Sequence, residues 1–376
     1  MDTSKPDIRL PADLLPEDGR FGCGPSKVRA AGVAALAAAA PTYLGTSHRQ
    51  SPVRSVVGRL REGMSALFAL PDGYEVVFGN GGAATFWDVA SFSLIERRSQ
   101  HLTFGNFSES FATMTAAAPH LDSPDVISSP VGTHPEARAN PDVDAYALTH
   151  NETSTGVAME VLRPARPGEG LVLVDATSAA GGMRVDPSQF DAYYFSPQKG
   201  FGADGGLWIA LCSPAAVERV DRIKAMGRWI PESLSLSTAL DNARLNQTYN
   251  TPGLATLFLM CDQMDWILAA GGLEWAASRC ETSSNILYGW AEKAPYATPF
   301  VADPADRSPV VGTVDLDDAI DAKLVSKVLR ANGIVDTEPY RRLGRNQLRI
   351  AMFPAVDPDD VAVLTQAIDY VVDAIS

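Results

Sequence analysis

The sequence predicts an α/β fold: a large domain with a mainly parallel central sheet, plus a small α+β C-terminal domain. Three observations carry this. Short apolar runs alternate with helical segments from Phe21 onward. The pattern changes near Gly253, where two long helices precede a short mixed stretch. A chain of 376 residues has room for one large α/β domain and a second small one. Strands separated by helices form βαβ units, and such units pair their strands in parallel.

Residues 1–20 are polar and contain prolines, and are expected to form an N-terminal arm. Ala30–Ala40 is short and weakly hydrophobic, as in a helix. Glu75–Phe78 is a strand, Gly79-Asn80-Gly81-Gly82 a turn, and Ala83–Ile95 a helix. His101–Phe104 is a strand, followed by helix 107–116. Ala145–Thr149, Leu171–Val174, Ala192–Phe195 and Leu207–Leu211 are apolar runs of strand length, hence buried strands. Pro214–Lys224 is a helix. Leu254–Ala270 is a long apolar helix ended by Gly271-Gly272, and 273–292 is another. Val310–Val314, helix 321–332, Gln347–Met352 and helix 358–374 complete the chain. The expected division is arm 1–20, large domain 21–265 and small domain 266–376.

Asp and Glu number 45 against 31 Lys and Arg, a formal net charge of -14. That balance speaks against nucleic acid or an anionic membrane as the partner, since either needs a basic face. Small anions answer to local charge and remain open. Cys23, Cys212, Cys261 and Cys280 form no CxxC pair and show no zinc spacing. They fit small buried thiols in a reducing compartment. No apolar run reaches the roughly 18–20 residues that span a bilayer, and the N-terminus lacks a secretory core. The expected location is cytoplasmic. No HExxH or His/Cys cluster occurs, so no metal site is expected.

Lysine is scarce, with seven in the chain. Six sit in helical or terminal polar contexts. Lys199 instead follows the strand Ala192–Phe195 through Ser196-Pro197-Gln198 and enters Gly200-Phe201-Gly202. Such a lysine either caps the turn or is desolvated toward the neutral amine, which forms Schiff bases. Asp175 ends the strand that begins at Leu171, where open α/β sheets bind ligands. It is either a helix cap or the acid that pairs with a cationic ring nitrogen. A lysine imine and an acidic partner for the pyridinium are what pyridoxal phosphate requires. Asn80-Gly81-Gly82-Ala83-Ala84-Thr85 leads from strand to helix and suits a phosphate. Phe104 is either core or a ring cover.

On Phe21-Gly22-Cys23-Gly24-Pro25, Ser47-His48-Arg49, Asn151-Glu152-Thr153 with Gly156, Asp175, Gln198-Lys199, Tyr249-Asn250-Thr251-Pro252 and Leu348-Arg349, the chain resembles the phosphoserine aminotransferase family. These are pyridoxal-phosphate enzymes of the class-V group, with the aspartate-aminotransferase-like fold (fold type I). The resemblance runs from about residue 21 to the C-terminus and is nearest the actinobacterial branch. It implies that Lys199 forms the imine and carries the proton. Asp175 then pairs with the ring nitrogen, Thr153 bonds the ring 3′-oxygen and Phe104 stacks on the ring. Ala83, Ala84 and Gln198 hold the phosphate, with Asn250 and Thr251 reaching it from a neighbouring subunit. That makes a homodimer with shared active sites. His48, Arg49, Arg341, Arg342 and Arg349 bind substrate, Arg349 through a bidentate fork on the α-carboxylate. The implied reaction moves the amino group of L-glutamate to 3-phosphohydroxypyruvate by a ping-pong route, giving O-phospho-L-serine and 2-oxoglutarate. The family extends to vitamin B6 biosynthesis, a second activity the resemblance allows. The alternative is an alanine/serine-glyoxylate-type class-V aminotransferase, which needs no distal anion site. A sulfur-transferring enzyme on this fold would need a nucleophilic cysteine on a mobile loop, and Cys212, Cys261 and Cys280 fall on expected strands and helices.

Overall fold

The computed structural model describes residues 8–375. Along them run α1 (Ala30–Tyr43), α2 (Ser51–Leu67), β1 (Glu75–Asn80), α3 (Ala83–Ser93), β2 (Ser99–Thr103), α4 (Asn106–Ala117), β3 (Asp125–Ser128) and β4 (Ala145–Thr149). Next come β5 (Asn151–Glu152), β6 (Val157–Ala158), β7 (Leu171–Asp175), β8 (Ala192–Phe195), β9 (Leu207–Cys212), α5 (Pro214–Ala225), α6 (Leu236–Arg244) and α7 (Leu254–Ala270). The chain ends with α8 (Gly272–Ala291), β10 (Ala297–Pro299), β11 (Val311–Leu316), α9 (Ala322–Ala331), β12 (Gln347–Ala351) and α10 (Pro358–Ile375).

Seven strands form one sheet in the order β1-β9-β8-β7-β4-β2-β3. β3, β2, β4, β7 and β8 are parallel neighbours. β9 runs antiparallel to both β8 and β1. Residues alternate between the two faces, as a pleated strand requires. Val172 and Val174 of β7 join the core beneath α2 and α7, and Leu171 and Leu173 join the core beneath α3 and α5. Burial on both faces is why these strands are continuous apolar runs. The β4–β7 register sets Thr149 beside Asp175 at the carboxyl edge of the sheet.

β10, β11 and β12 make a separate antiparallel sheet. Leu287, Val314, Leu348 and Ile368 share its core with Leu10 and Phe21. The arm expected over 1–20 therefore has a tether. Its first seven residues lie outside the described residues. From Ile8 onward it follows the C-terminal unit: Leu10 N–H donates to Asn332 Oδ1 at 3.0 Å, and Arg20 bridges Val335. The expected boundary at 265 falls inside α7, which packs on α1 and α2 and continues to Ala270. The chain then bends by 90° into α8 at Gly271, whose φ of 128° favours glycine. Among the described residues no single helix is long and apolar enough to cross a membrane.

Candidate active site

The strand ends gather the chemistry. β8 delivers Ser196 and, through a tight turn, Lys199. β7 delivers Asp175, and the turn after β5 delivers Thr153. Lys199 is 7% exposed, and its Nζ donates to Thr153 Oγ1 at 3.3 Å. Burial pulls its ammonium down to about 8, because a desolvated cation is disfavoured. The lysine stem lies against the backbone of Gly24. A Cβ there would fall 2.4 Å from Lys199 Cε, so this residue has to be glycine for the lysine to keep its place.

Asp175 is buried. Its Oδ1 accepts from Thr177 N–H at 2.9 Å and its Oδ2 from Trp87 Nε1 at 2.9 Å. Burial pushes its carboxyl up, while these donors and Lys199 hold it down. Thr153 Oγ1 also donates to Ser178 Oγ at 2.8 Å. Ser178 accepts from Asn151 Nδ2 at 2.8 Å, so the threonine hydroxyl is held from behind. His150 sits behind this group: its backbone N–H donates to the Asp175 carbonyl, and burial draws its ring down to about 4, a neutral imidazole.

A phosphate cradle lies alongside. α3 begins at Ala83 with Gly82 as a cap that has no side chain to offer, leaving the first N–H groups of Ala83 and Ala84 for an anion. A Cβ on Gly82 would be 3.9 Å from Ser196 Oγ, so the helix start and the β8 end are neighbours. Ser196 Oγ and Gln198 Oε1 are both buried and lack a hydrogen-bond partner among the described residues. Buried polar groups are normally paired. A hydroxyl, an amide that can rotate to present its N–H2 and a helix N-terminus make a set that fits a dianionic phosphate.

Over this floor opens a cleft of about 740 Å3, with Gly24, Ala84, Trp87, Phe107, Arg342 and Arg349 in its walls. Arg349 stands on β12. Its Nη1 donates to the Thr153 carbonyl at 3.2 Å, its guanidinium lies 5.3 Å from the Tyr340 ring, and its Nε is buried without a partner. Arg342 Nη1 donates to Asn106 Oδ1 at 2.9 Å. Arg341 is exposed at the same cleft. A larger cavity of about 980 Å3, bordered by Met159, Arg163 and Arg184, has neither Trp87, Phe107 nor Arg349 in its wall. Chemistry, not size, singles out the smaller one.

One expectation about placement changes. Phe104 is buried in the core, edge-on to His134 with centroids 6.2 Å apart. The chain turns at Gly105 and starts α4, which brings Phe107 to 5.9 Å from Lys199 Nζ. The aromatic beside the lysine is therefore Phe107, not Phe104. Trp87 reads from the sequence as core and is buried in it, and one helical turn after Ala83 its indole N–H also donates to Asp175. That i, i+4 spacing from the phosphate turn was the available signal.

His48, Arg49, Asn250 and Thr251 form a second group. Thr251 Oγ1 meets His48 Nδ1 at 3.1 Å, and Asn80 Nδ2 donates to the Thr251 carbonyl at 3.2 Å. Arg49, Asn250 and Thr251 are exposed. All four cysteines are free and buried. Cys23 borders the cleft, and burial pushes its thiol up, away from the thiolate.

Comparison with known proteins agrees with this geometry. Residues 132–337 match the family described as Aminotransferase class-V. A phosphoserine aminotransferase of a Nocardioides species is 60% identical over 368 residues, covering 97% of this chain and 98% of the relative. The crystal structure of a phosphoserine aminotransferase from Cytophaga hutchinsonii superposes with a TM-score of 0.85 at 24% identity, over 94% of this chain and 99% of that one. One from Bacillus circulans subsp. alkalophilus gives 0.82 at 20% identity, over 96% and 99%.

Proposed function

The chain belongs to the phosphoserine aminotransferases of the class-V aminotransferase family, and from that membership we propose how its residues divide the work. The enzyme is a pyridoxal-phosphate-dependent transaminase. When bound, the cofactor supplies the imine-forming aldehyde and the electron sink for charge developing at the substrate Cα. The observation that carries the reading is Lys199, buried and drawn toward the neutral amine at the sheet's carboxyl edge, with Asp175 on the adjacent strand.

Lys199 Nζ binds the cofactor and, once displaced by an amino acid, takes the proton from Cα. Thr153 Oγ1 lies within hydrogen-bonding reach of that nitrogen and serves the ring 3′-oxygen. Asp175, held from two sides by Trp87 and Thr177, keeps the ring nitrogen protonated. Phe107 covers the ring. Ser196, Gln198 and the N–H groups of Ala83 and Ala84 hold the phosphate. Arg349 presents its free Nε and one amine edge to the α-carboxylate. Arg341 and Arg342 supply fixed positive charge for a distal anion.

The amino donor is L-glutamate and the acceptor 3-phosphohydroxypyruvate, giving O-phospho-L-serine. Both amino acids carry the α-carboxylate that Arg349 requires and the distal anion that Arg341 and Arg342 require. Two chains share their sites in a homodimer: His48, Arg49, Asn250 and Thr251 of one protomer complete the cleft of its partner. Supporting this, three of the four are exposed and they cluster together. The enzyme works in the cytoplasm, where four unpaired thiols persist.

The test is a pair of half-reactions. Glutamate and O-phospho-L-serine should each bleach the visible absorbance of the lysine-bound cofactor, with alanine at least about 100-fold slower for lack of a distal anion. Faster bleaching by alanine would instead establish the alanine/serine-glyoxylate type.

Lys199 also sets a pH dependence. Its ammonium is the unreactive form, and burial lowers its pKa to about 8 from the ordinary 10.5. The amine is therefore charged below about 8 and neutral above. Uptake of pyridoxal phosphate by the cofactor-free enzyme should speed up with rising pH and level off just above 8. Stopped-flow absorbance checks this; a rate still climbing toward 10.5 would mean an ordinary, solvated lysine.

A further inference from the structure

Glu152 is 0% exposed, and among the described residues its carboxylate is held by serine hydroxyls and backbone N–H groups rather than by a Lys or Arg. An unpaired buried carboxylate is costly unless hydrogen bonds replace its water. Here they do. Oε2 accepts from Phe107 N–H at 3.1 Å, from Ser108 N–H at 2.9 Å and from Ser108 Oγ at 3.0 Å. Oε1 accepts from Ser154 Oγ at 2.7 Å and from Ser154 N–H at 3.2 Å. The carboxylate thus caps α4 from another part of the chain, 44 residues away for Ser108. Gly105 makes room for it, since a Cβ there would fall 2.3 Å from Glu152 Cγ.

A Ser or Asp at the cap position would hold a helix end more cheaply. What the remote carboxylate adds is position. The helix start it grips carries Phe107, whose ring faces Lys199 Nζ at 5.9 Å and Tyr340 at 5.9 Å. Ser154 Oγ, bonded to Glu152, accepts from Asn106 N–H at 3.0 Å, and Asn106 Oδ1 holds Arg342. The next residue, Thr153, contacts Lys199 through its hydroxyl and Arg349 through its carbonyl. One carboxylate therefore reaches the ring-covering aromatic on one side and the distal-anion arginine on the other.

We infer that Glu152 is a positioning residue that fixes Phe107 over the cofactor ring and, through Ser154 and Asn106, holds Arg342 where a substrate phosphate binds. The inference rests on the roles assigned above to Lys199 and Arg342. Glu152 touches neither cofactor nor substrate; it sets the geometry of groups that do.

The test uses Glu152→Gln and Ser154→Ala in the full-length protein. An amide keeps the shape but turns an N–H2 toward N–H and O–H donors, so part of the grip is lost. Three quantities are read: the affinity of the cofactor-free protein for pyridoxal phosphate, the ratio of kcat/KM for 3-phosphohydroxypyruvate to that for hydroxypyruvate, and Tm. Glu152→Gln should remain folded, bind pyridoxal phosphate about tenfold more weakly, and lose about tenfold in the ratio, mostly through KM for the phosphorylated acid. Ser154→Ala should lose the ratio with cofactor affinity held within about twofold, since it removes the link to Asn106 and one donor to Oε1 but leaves the Oε2 bonds that hold Phe107 and Ser108. A Glu152→Gln protein with lower Tm but unchanged affinity and ratio would reduce Glu152 to a helix cap and overturn the inference. If Glu152→Gln does not fold, Ser154→Ala decides: an unchanged ratio overturns it. A wild-type enzyme indifferent to the phosphate would count against the assigned substrate instead, and the cofactor affinity of Glu152→Gln would still decide the role of Glu152.

Discussion

Lys199→Ala should lose the visible absorbance of lysine-bound cofactor and slow transamination by at least about 10⁴-fold, because proton transfer alone contributes about 10²–10⁴-fold and the covalent attachment is lost with it. The fold should survive. Lys199 contributes a hydrogen bond to Thr153 and packing against Gly24, not a share of the apolar core. Pyridoxal phosphate should still enter reversibly, because Ser196, Gln198 and the start of α3 lie outside the substitution. Far-UV circular dichroism, equilibrium dialysis and single-turnover kinetics separate these effects. A variant that kept both the absorbance and the turnover would remove Lys199 from the chemistry, and the reading of the whole cleft with it.

The fold was readable where burial leaves a compositional trace. β4, β7, β8 and β9 are buried on both faces, and each is a continuous apolar run in the sequence. β3 leaves no such trace: it is the edge strand Asp125-Val126-Ile127-Ser128, with alternate residues exposed. α2 was missed although it carried a signal, with Val53, Val56, Val57, Leu60, Met64 and Leu67 buried at helical spacing. The antiparallel direction of β9 lies in a short connection after Gly202 that local pattern does not record. At the site, Lys199 and Asp175 were legible because each lies at or just past a strand end, where an α/β sheet puts its ligands, whereas Thr153 was named only through the family resemblance. Phe107 was not. An aromatic at the end of a strand and one in the first turn of the next helix read alike, and only the path of the chain at Gly105 tells them apart. Glu152 escaped because its role is made by partners from α4, which sequence spacing does not reveal.

Asp175→Asn separates attachment of the cofactor from its activation. The substitution is nearly isosteric and keeps Lys199 intact, so the visible absorbance should persist. The charge proposed to keep the ring nitrogen protonated is gone, and one of the two donors now holding the carboxylate, Trp87 Nε1 or Thr177 N–H, meets an amide N–H2. Removing one partner of a buried charge pair costs about 3–5 kcal/mol, so kcat should fall roughly 10²- to 10⁴-fold. Trp87→Phe removes a single neutral donor to the same oxygen and leaves the charge; its loss should be about tenfold or less. The order of the two variants is the informative part. If the hydrogen bond mattered more than the charge, Trp87→Phe would match Asp175→Asn. If Asp175 were only a cap for the turn at Thr177, both would lower Tm and leave kcat within a few-fold of wild type. Single-turnover rates with glutamate, measured beside Tm for both variants, distinguish these cases. A large loss in Asp175→Asn with retained absorbance assigns the carboxylate to the proton-abstraction step, the one step in which a protonated ring nitrogen lowers the energy of the charge left at Cα.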